Sequence, residues 1–456
     1  MTEPHRAGLG TFRARRRTSG PTAGPDGPQR PIASLSRDRQ APPARPRYEL
    51  ERCVGLCAAV GGLMSIAAMP VLAQTQEPIR IGASFSDTGT YAALGQTVRR
   101  GYALCVKQAN ERGGVLGRRL ELLTENDESQ PKKAVEIYES LITRDKVDMV
   151  FPPYSSPITD AVATVTEKHA LPMIDCCGAS SSIFAKGRRF IFMLVSPAND
   201  YLEGLLDTAA KRGLKTVAVI HEDTLFPKAL AAGALAAVKR HGLRVVAVEP
   251  YPRKTPDFSA VVERVKAANP DVVAAATYFN DAVAITRQMK ASLLNPKMFG
   301  VTVGGDLPKF YQTLGPLAEY VYGAAQWEPD LVTLRAGGLI PIARQYPGAR
   351  DFVEAYHKAY PKADLSYQTA QGYSACEVHL EAIRRAGTLD GEKVRDAILK
   401  MDTNTAFGAF KVDATGLQVA HKMVMFQWQD GKKAIVWPED LAPAKARFPT
   451  PPWNQR

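Results

Sequence analysis

From residue 79 onward the chain switches repeatedly between a short apolar run and a longer stretch whose apolar residues recur three and four apart. The run 79–85 predicts a buried strand, 93–112 an amphipathic helix, 119–124 a strand and 131–144 a helix; 149–151 is then a strand, 158–169 a helix and 172–174 a strand. The rhythm restarts after Asn199, with helices over 201–212, 227–241, 257–268 and 281–292 between strands at 216–221, 244–249, 271–278 and 298–303. Asp257 stands where the third of these helices needs an N-cap, and Pro270 follows its end. A strand that feeds a helix and then another strand makes a right-handed crossover, and repeated crossovers lay the strands parallel. Two successive runs therefore predict an α/β chain with two sheets and two lobes.

Length agrees, because 456 residues leave room for two or three domains. With 45% hydrophobic and 23% charged residues, the chain has the proportions of a soluble globular protein. Its formal charge of +12 suggests nucleic acid, but residues 1–73 hold 11 Arg and no Lys against 5 Asp and Glu, which is half of that charge. No long basic block interrupts the remainder, so nucleic acid is not an expected partner. Residues 1–47 are rich in Arg, Pro and Gly and have no period; they read as disordered or as an upstream extension from a misassigned start. Residues 48–73 place Arg52 before an apolar run ending Val71-Leu72-Ala73, the pattern of a signal peptide cleaved before Gln74 on export. The stretch 53–73 is also about long enough to span a bilayer, but its Gly and Ala content and Pro70 favour cleavage. Leu56 before Cys57 argues against a lipoprotein, and no apolar run closely follows Arg15, Arg16 and Arg17 as twin-arginine export would need.

Alternating strands and helices also suit dehydrogenases, kinases and hydrolases. The sequence has no Gly-x-Gly-x-x-Gly after a strand, no Gly-x4-Gly-Lys-Ser/Thr loop, no Gly-x-Ser-x-Gly elbow and no His-Glu-x-x-His helix. The seven histidines, at 5, 169, 221, 241, 357, 379 and 421, are not at metal spacing and read as surface or structural residues. Glu222-Asp223 stands at a strand end where acid/base chemistry could be placed, though a solvated loop or a polar ligand contact is the simpler reading. No catalytic residue, metal or cofactor is expected. Of six cysteines, Cys53 and Cys57 lie in the leader, leaving Cys105, Cys176, Cys177 and Cys376 with no Cys-x-x-Cys pair. An oxidising compartment permits a disulfide, and the sequence does not say which two would pair.

Three loops at the ends of the predicted strands carry small hydroxyl residues: 86–91 (SDTGTY), 152–157 (PPYSSP) and 175–182 (DCCGASSS). There the amides of a following helix meet an anion, and hydroxyls add hydrogen bonds without excluding it. Simple capping by Ser and Thr is the plainer account of any one loop; three in one lobe predict a binding crevice.

The segments IGASFSDTGTYAALGQ, NERGGVLGRRLELLTENDESQPKKAVEIYESLI and VFPPYSSPITDAVATVTEKHALPMI resemble the branched-chain amino-acid binding proteins of bacterial ABC importers. The stretch 215–273 is similar to the second lobe of that family and 372–399 to its returning helices, so the likeness covers about residues 77–440. It implies a type I periplasmic binding protein: two Rossmann-like lobes with central parallel sheets joined by a three-crossover hinge. On that template lobe 1 is 77–198 with 329–404, lobe 2 is 199–328 with 405–440, and 441–456 is a C-terminal tail; strands at 407–412 and 423–428 rejoin lobe 2. The implied partners are a small organic ligand and an inner-membrane ABC permease, with the receptor a monomer.

Carried over by position, Ser156 matches the residue that holds the amino-acid α-carboxylate, with Ser155 beside it. Ala179 and Ser180 match the contacts from the next loop, Phe226 and Tyr278 two aromatic positions. Tyr91, Tyr154 and Trp327 add aromatic surface to the crevice. One departure bears on the ligand. Amino-acid binders of the family present an acid to the ligand ammonium after the strand at 298–303, where this chain has Val303 or Gly304. Asp306 comes two or three residues late, and Glu222 and Asp281 are the other acids able to serve. An unpaired ammonium in a dry cleft costs several kcal/mol, so an aromatic acid, a keto acid or an amide is a serious option beside an amino acid. A sensory or regulatory binding module for amides or aromatic acids is the alternative function on the same fold, and no catalytic constellation supports an enzyme.

Overall fold

The computed structural model describes residues 76–333, 346 and 348–456. The extension 1–47, the leader 48–73 and part of the segment 329–404 lie outside the described residues. Strand β1 (Ile79–Phe85) pairs in parallel with β2 (Leu120–Asn126) on one side and β3 (Met149–Val150) on the other. Flanked on both sides, it buries every residue but Arg80, as a near-continuous apolar strand does at the centre of a parallel sheet. β2 is an edge strand with only Leu120 fully buried. β4 (Met173–Asp175) and β5 (Ile191–Met193) form a separate parallel pair.

The second sheet takes β6 (Thr216–Glu222), β7 (Arg244–Tyr251), β8 (Val272–Ala276), β9 (Met298–Val301) and β10 (Tyr322–Ala325) as parallel neighbours. After the hairpin of β11 (Asp402–Thr405) and β12 (Gly408–Lys411), the chain returns to this sheet as β13 (Val424–Gln429), antiparallel to β10, and β14 (Lys432–Trp437), antiparallel to β13. The order is β14-β13-β10-β9-β8-β6-β7. Helices Ala92–Glu111, Pro131–Thr143, Ser156–Lys168, Leu225–Arg240, Ser259–Ala267 and Phe279–Ala291 fall where the period placed them, with ends moved by at most two residues. The side chain of Asp257 accepts from the amide of Ser259, the first residue of its helix.

The structure departs from expectation in three places. The segment 407–412 does not join the second sheet: β12 pairs only with β11, and the hairpin hangs on the helix Tyr367–Ala386 through Ser374 Oγ, which accepts from Phe407 N–H at 3.1 Å. Its short strands and the two-residue turn between them satisfy each other locally. The C-terminal tail 441–456 is anchored, a contact the sequence did not indicate, because Trp453 is buried and its indole N–H donates to Leu294 O at 2.7 Å. β5, β10, β11 and β14 were not anticipated; each is only three to six residues long, too short to show a period.

Helices Ala92–Glu111 and Tyr367–Ala386 lie in unusually close contact. A Cβ on Gly101 would sit 2.7 Å from Tyr373 N, and one on Gly372 would sit 2.7 Å from Val98 O, so glycine on both helices permits the approach. Cys105 and Cys376 join the same two helices in a disulfide with Cα atoms 6.2 Å apart.

Candidate ligand-binding site

The loop after β1 spends its hydroxyl groups on the protein itself. Ser84 and Ser86 donate to the two oxygens of buried Asp127 at 2.8 and 2.7 Å, and Thr88 Oγ1 accepts from Asn126 Nδ2. What this loop presents is Tyr91, buried, with its ring 5.9 Å from Tyr154 and 5.1 Å from Tyr278. The Arg253 guanidinium stands 4.9 Å from the Tyr91 ring centre.

The loop after β3 behaves differently. Ser155 takes φ +88° just before the helix Ser156–Lys168, is 1% exposed, and its hydroxyl makes no hydrogen bond of ordinary geometry among the described residues. Ser156 Oγ accepts from Ser180 N–H at 3.1 Å, which clamps this loop to the one after β4 and leaves the Ser156 hydroxyl proton free to donate. Within the later loop, Asp175 Oδ1 accepts from the amides of Cys177 and Gly178 at 2.9 and 2.7 Å, and Ser180 Oγ lies 3.0 Å from Ser182 Oγ. Burial raises the Asp175 carboxyl to about 6 against those two amide donors.

Across from these loops, Phe226 opens the helix Leu225–Arg240, Tyr278 precedes the helix Phe279–Ala291, and Val303 follows β9. A narrow pocket of about 20 Å³, room for roughly one water, lies between the two sets. Tyr154, Cys176, Cys177, Ala179 and Val195 line one part; Tyr201, Phe226, Tyr278, Val303, Tyr367 and Gln371 complete it. None of the eleven carries a charge: burial holds the phenols of Tyr154, Tyr278 and Tyr367 well above their ordinary range and that of Tyr201 above it. The hydroxyls of Tyr91, Tyr278 and Ser155 are buried and make no hydrogen bond of ordinary geometry among the described residues, but those of Ser155 and Tyr278 lie close enough to act on the Tyr91 phenol. The three form one polar cluster beside the pocket, a place where a polar ligand group can be received.

Of the residues singled out from the sequence, Ala179, Phe226, Tyr278 and Tyr154 line the pocket, and Ser155, Ser156, Ser180 and Tyr91 surround it. Asp306 does not line it. Its Oδ1 accepts from Gly304 N–H at 3.1 Å and Gln368 Nε2 at 3.5 Å, its Oδ2 has no partner among the described residues, and burial raises its pKa, opposed by Lys433. Trp327 is fully buried against Phe352, with ring centres 5.9 Å apart, and is not part of the lining. Glu222 is buried and accepts from Thr224 Oγ1 at 2.6 Å, Asp223 pairs with Lys228 on the surface, and neither lines the pocket. Asp281 is also outside the lining; burial raises it to about 6, while the Tyr251 hydroxyl, at 2.9 Å, opposes the shift. Tyr201, Tyr367 and Gln371 were missed. The last two sit four apart on the first turns of a helix behind its N-cap Ser366, a spacing that puts them on one face, but nothing local says the face meets a ligand.

Among the described residues no group of three or more His, Cys, Asp or Glu is placed to hold a metal, and no helix is long and apolar enough to cross a membrane. The family model described as periplasmic binding protein matches residues 78–433. This chain belongs to that family. Within it, the chain is 27% identical over 404 residues to a Leu/Ile/Val-binding protein homolog 7 of Brucella abortus (strain 2308), covering 85% of this chain and 98% of the relative. A branched-chain amino acid transporter substrate binding protein of Streptococcus pneumoniae, solved with isoleucine, superposes with a TM-score of 0.69 at 21% identity over 82% of this chain and all of the other. A solute binding protein of an ABC transporter from R. palustris, solved with benzoate, gives 0.67 at 19% identity over 79% of this chain and 95% of the other. These structural likenesses establish the type I periplasmic binding protein fold. The chain is thus a periplasmic binding protein, similar to relatives named for Leu/Ile/Val binding and to solute-binding components of ABC transporters.

Proposed function

We propose that this periplasmic binding protein is the extracytoplasmic receptor of an ABC importer for a small organic acid with an apolar or aromatic body and no α-ammonium group. The observation that carries the reading is the uncharged lining of the pocket, which includes Val303, one of the two positions, with Gly304, where the resemblance would put an acid to face an ammonium. Asp306 supports it by standing outside the lining, its Oδ1 taken by Gly304 N–H and Gln368 Nε2. In this reading the carboxylate takes the hydroxyls of Ser155, Ser156 and Tyr91 near the start of helix Ser156–Lys168, with the Ala179–Ser180 loop beside it. Phe226 and Tyr278 take the body. Lobe 1 (77–198 with 329–404 and the hairpin that runs to 411) and lobe 2 (199–328 with 424–440) close on the ligand, since only contacts to both favour the closed state. The protein works as a monomer, after export and cleavage behind Ala73.

A thermal-shift screen of the full chain against benzoate, 4-methyl-2-oxopentanoate, leucine, isoleucine and acetamide tests this. Ammonium-free acids are expected to raise the melting temperature, a ligand at 100 times its Kd adding about 2.7 kcal/mol. A shift with leucine or isoleucine alone, abolished by Asp306→Asn, would show that Asp306 serves an amino acid and would overturn the reading.

A further inference from the structure

We propose that adjacent Cys176 and Cys177 are joined as a disulfide and that this pair is a ligand-contacting, specificity-determining wall of the pocket, a sulfur face that takes the apolar or aromatic body of the bound acid. The inference rests on the ligand class just proposed and sharpens it. Both cysteines line the pocket, and their sulfur atoms stand against each other within reach of a bond. Structural disulfides tie distant segments, as Cys105 and Cys376 do across 271 residues; a bond between chain neighbours closes no such loop, so its place in the pocket needs another account.

The surroundings hold the sulfur pair still. Tyr102 OH lies 3.0 Å from Cys176 Sγ, and the Tyr102 ring is itself stacked 4.2 Å from Phe151. Gln371 Nε2 lies 3.7 Å from Cys177 Sγ. Asp175 fastens the backbone from inside through two amides. Gly178 packs this turn on the helix Ser156–Lys168, where a Cβ would sit 2.8 Å from Thr159 Cβ. The pair is thus pinned from the protein side, while Phe226, Tyr278 and Val303 belong to the same lining. A disulfide has no proton to donate and accepts hydrogen bonds only weakly, yet its sulfurs are polarizable and make favourable contacts with aromatic rings. Such a wall rewards a flat or apolar ligand surface and leaves an ammonium without a partner.

The test uses the full chain purified from the periplasm without reductant. Peptide mapping is expected to return the segment bearing Cys176 and Cys177 lighter by two hydrogens and unreactive toward iodoacetamide; recovery of two alkylated thiols would overturn the proposal. Benzoate affinity is then compared across variants by calorimetry. Cys176→Ser/Cys177→Ser is expected to weaken it roughly tenfold or more, and Cys176→Ala/Cys177→Ala, which adds no polar group, also to weaken it. Cys105→Ser/Cys376→Ser, remote in role, should leave the affinity of the folded protein unchanged. Wild-type affinity in both folded Cys176/Cys177 variants would remove the wall from the site. If the wild type binds isoleucine and not benzoate, the ammonium-free reading fails by itself. The same variants scored with isoleucine then decide the sulfur wall, lost affinity keeping it and unchanged affinity removing it.

Discussion

Ser196 Oγ lies 2.9 Å from His421 Nδ1, and through this contact the stretch leaving β5 is bound to the stretch entering β13. The other ring nitrogen, Nε2, faces the carbonyl of Phe407 at 3.2 Å. A carbonyl only accepts, so Nε2 carries the proton and Nδ1 accepts from the Ser196 hydroxyl. Ser196 N–H donates to Gln326 Oε1 at 2.6 Å, and Gln418 Nε2 donates to Leu194 O at 2.8 Å. Three chain passages that link the two halves of the fold are therefore knotted through neutral, buried hydrogen bonds.

Burial holds His421 down to about 4, with Lys422 adding to the shift against the Phe407 carbonyl. The folded protein thus takes up the proton less readily than the unfolded chain, whose histidine titrates near 6.5. The stabilisation is complete above pH 6.5 and is lost as pH falls toward 4, to a limit of roughly 3 kcal/mol for one such group. His379, also buried and lowered to about 4, acts with the same sign. Thermal melts between pH 7 and pH 4 should show a falling midpoint, and His421→Gln should flatten part of the fall. Identical pH profiles for the variant and the wild type would sink this assignment.

The Cys105–Cys376 bond should be the larger stabiliser, because it joins positions 271 residues apart on two helices that already touch. Replacing both by Ser is expected to cost about 2–5 kcal/mol. Urea denaturation of the variant beside the wild type measures it; an unchanged midpoint would mean that the helix contact alone holds the two segments.

The α/β alternation was readable because each central strand is buried on both faces and each helix on one, so burial wrote two distinct periods into the sequence. The aromatic half of the pocket was partly readable for a related reason: Tyr278 and the 152–157 loop follow strands whose ends point to the crevice. Tyr201, Tyr367 and Gln371 were not, since they come to the pocket from the start of helices far apart in sequence, and only tertiary packing brings them together. Asp306 shows the opposite failure. Its sequence position suggested a ligand contact, but the turn after β9 folds its carboxylate back onto Gly304 N–H. The pairing of Cys105 with Cys376 needed the helix contact, which sequence spacing does not encode.

Lys433 Nζ lies 2.6 Å from Glu328 Oε2 at a place where both side chains are largely buried. Burial raises Glu328 to about 7 even with the ammonium lowering it. Lys433→Met removes the partner and leaves a buried acid whose Oε1 has no hydrogen bond among the described residues, so a loss of about 3–5 kcal/mol is expected. Adding Glu328→Gln should return most of it, because a neutral amide is far cheaper to bury than an unpaired charge. Denaturation midpoints of the single and double variants check the coupling, and equal losses in both would mean that packing of the Lys433 stem, not charge, matters.

Gly101 carries the closest approach between helices Ala92–Glu111 and Tyr367–Ala386. Any side chain there must displace backbone rather than a flexible tip, since the atoms it meets include Tyr373 N at 2.7 Å. Gly101→Ala gains helix propensity of roughly 1 kcal/mol in isolation, so the two effects oppose each other. Backbone does not yield by rotamer change, and overpacking of this kind costs about 1–3 kcal/mol. Gly101→Val adds two more methyl groups to the same gap and should cost more than Gly101→Ala, by separating the helices that Cys105 and Cys376 bridge. A melting series of glycine, alanine and valine at this position should fall in that order. An alanine variant more stable than the wild type would show that the helices can part by a few tenths of an ångström without loss.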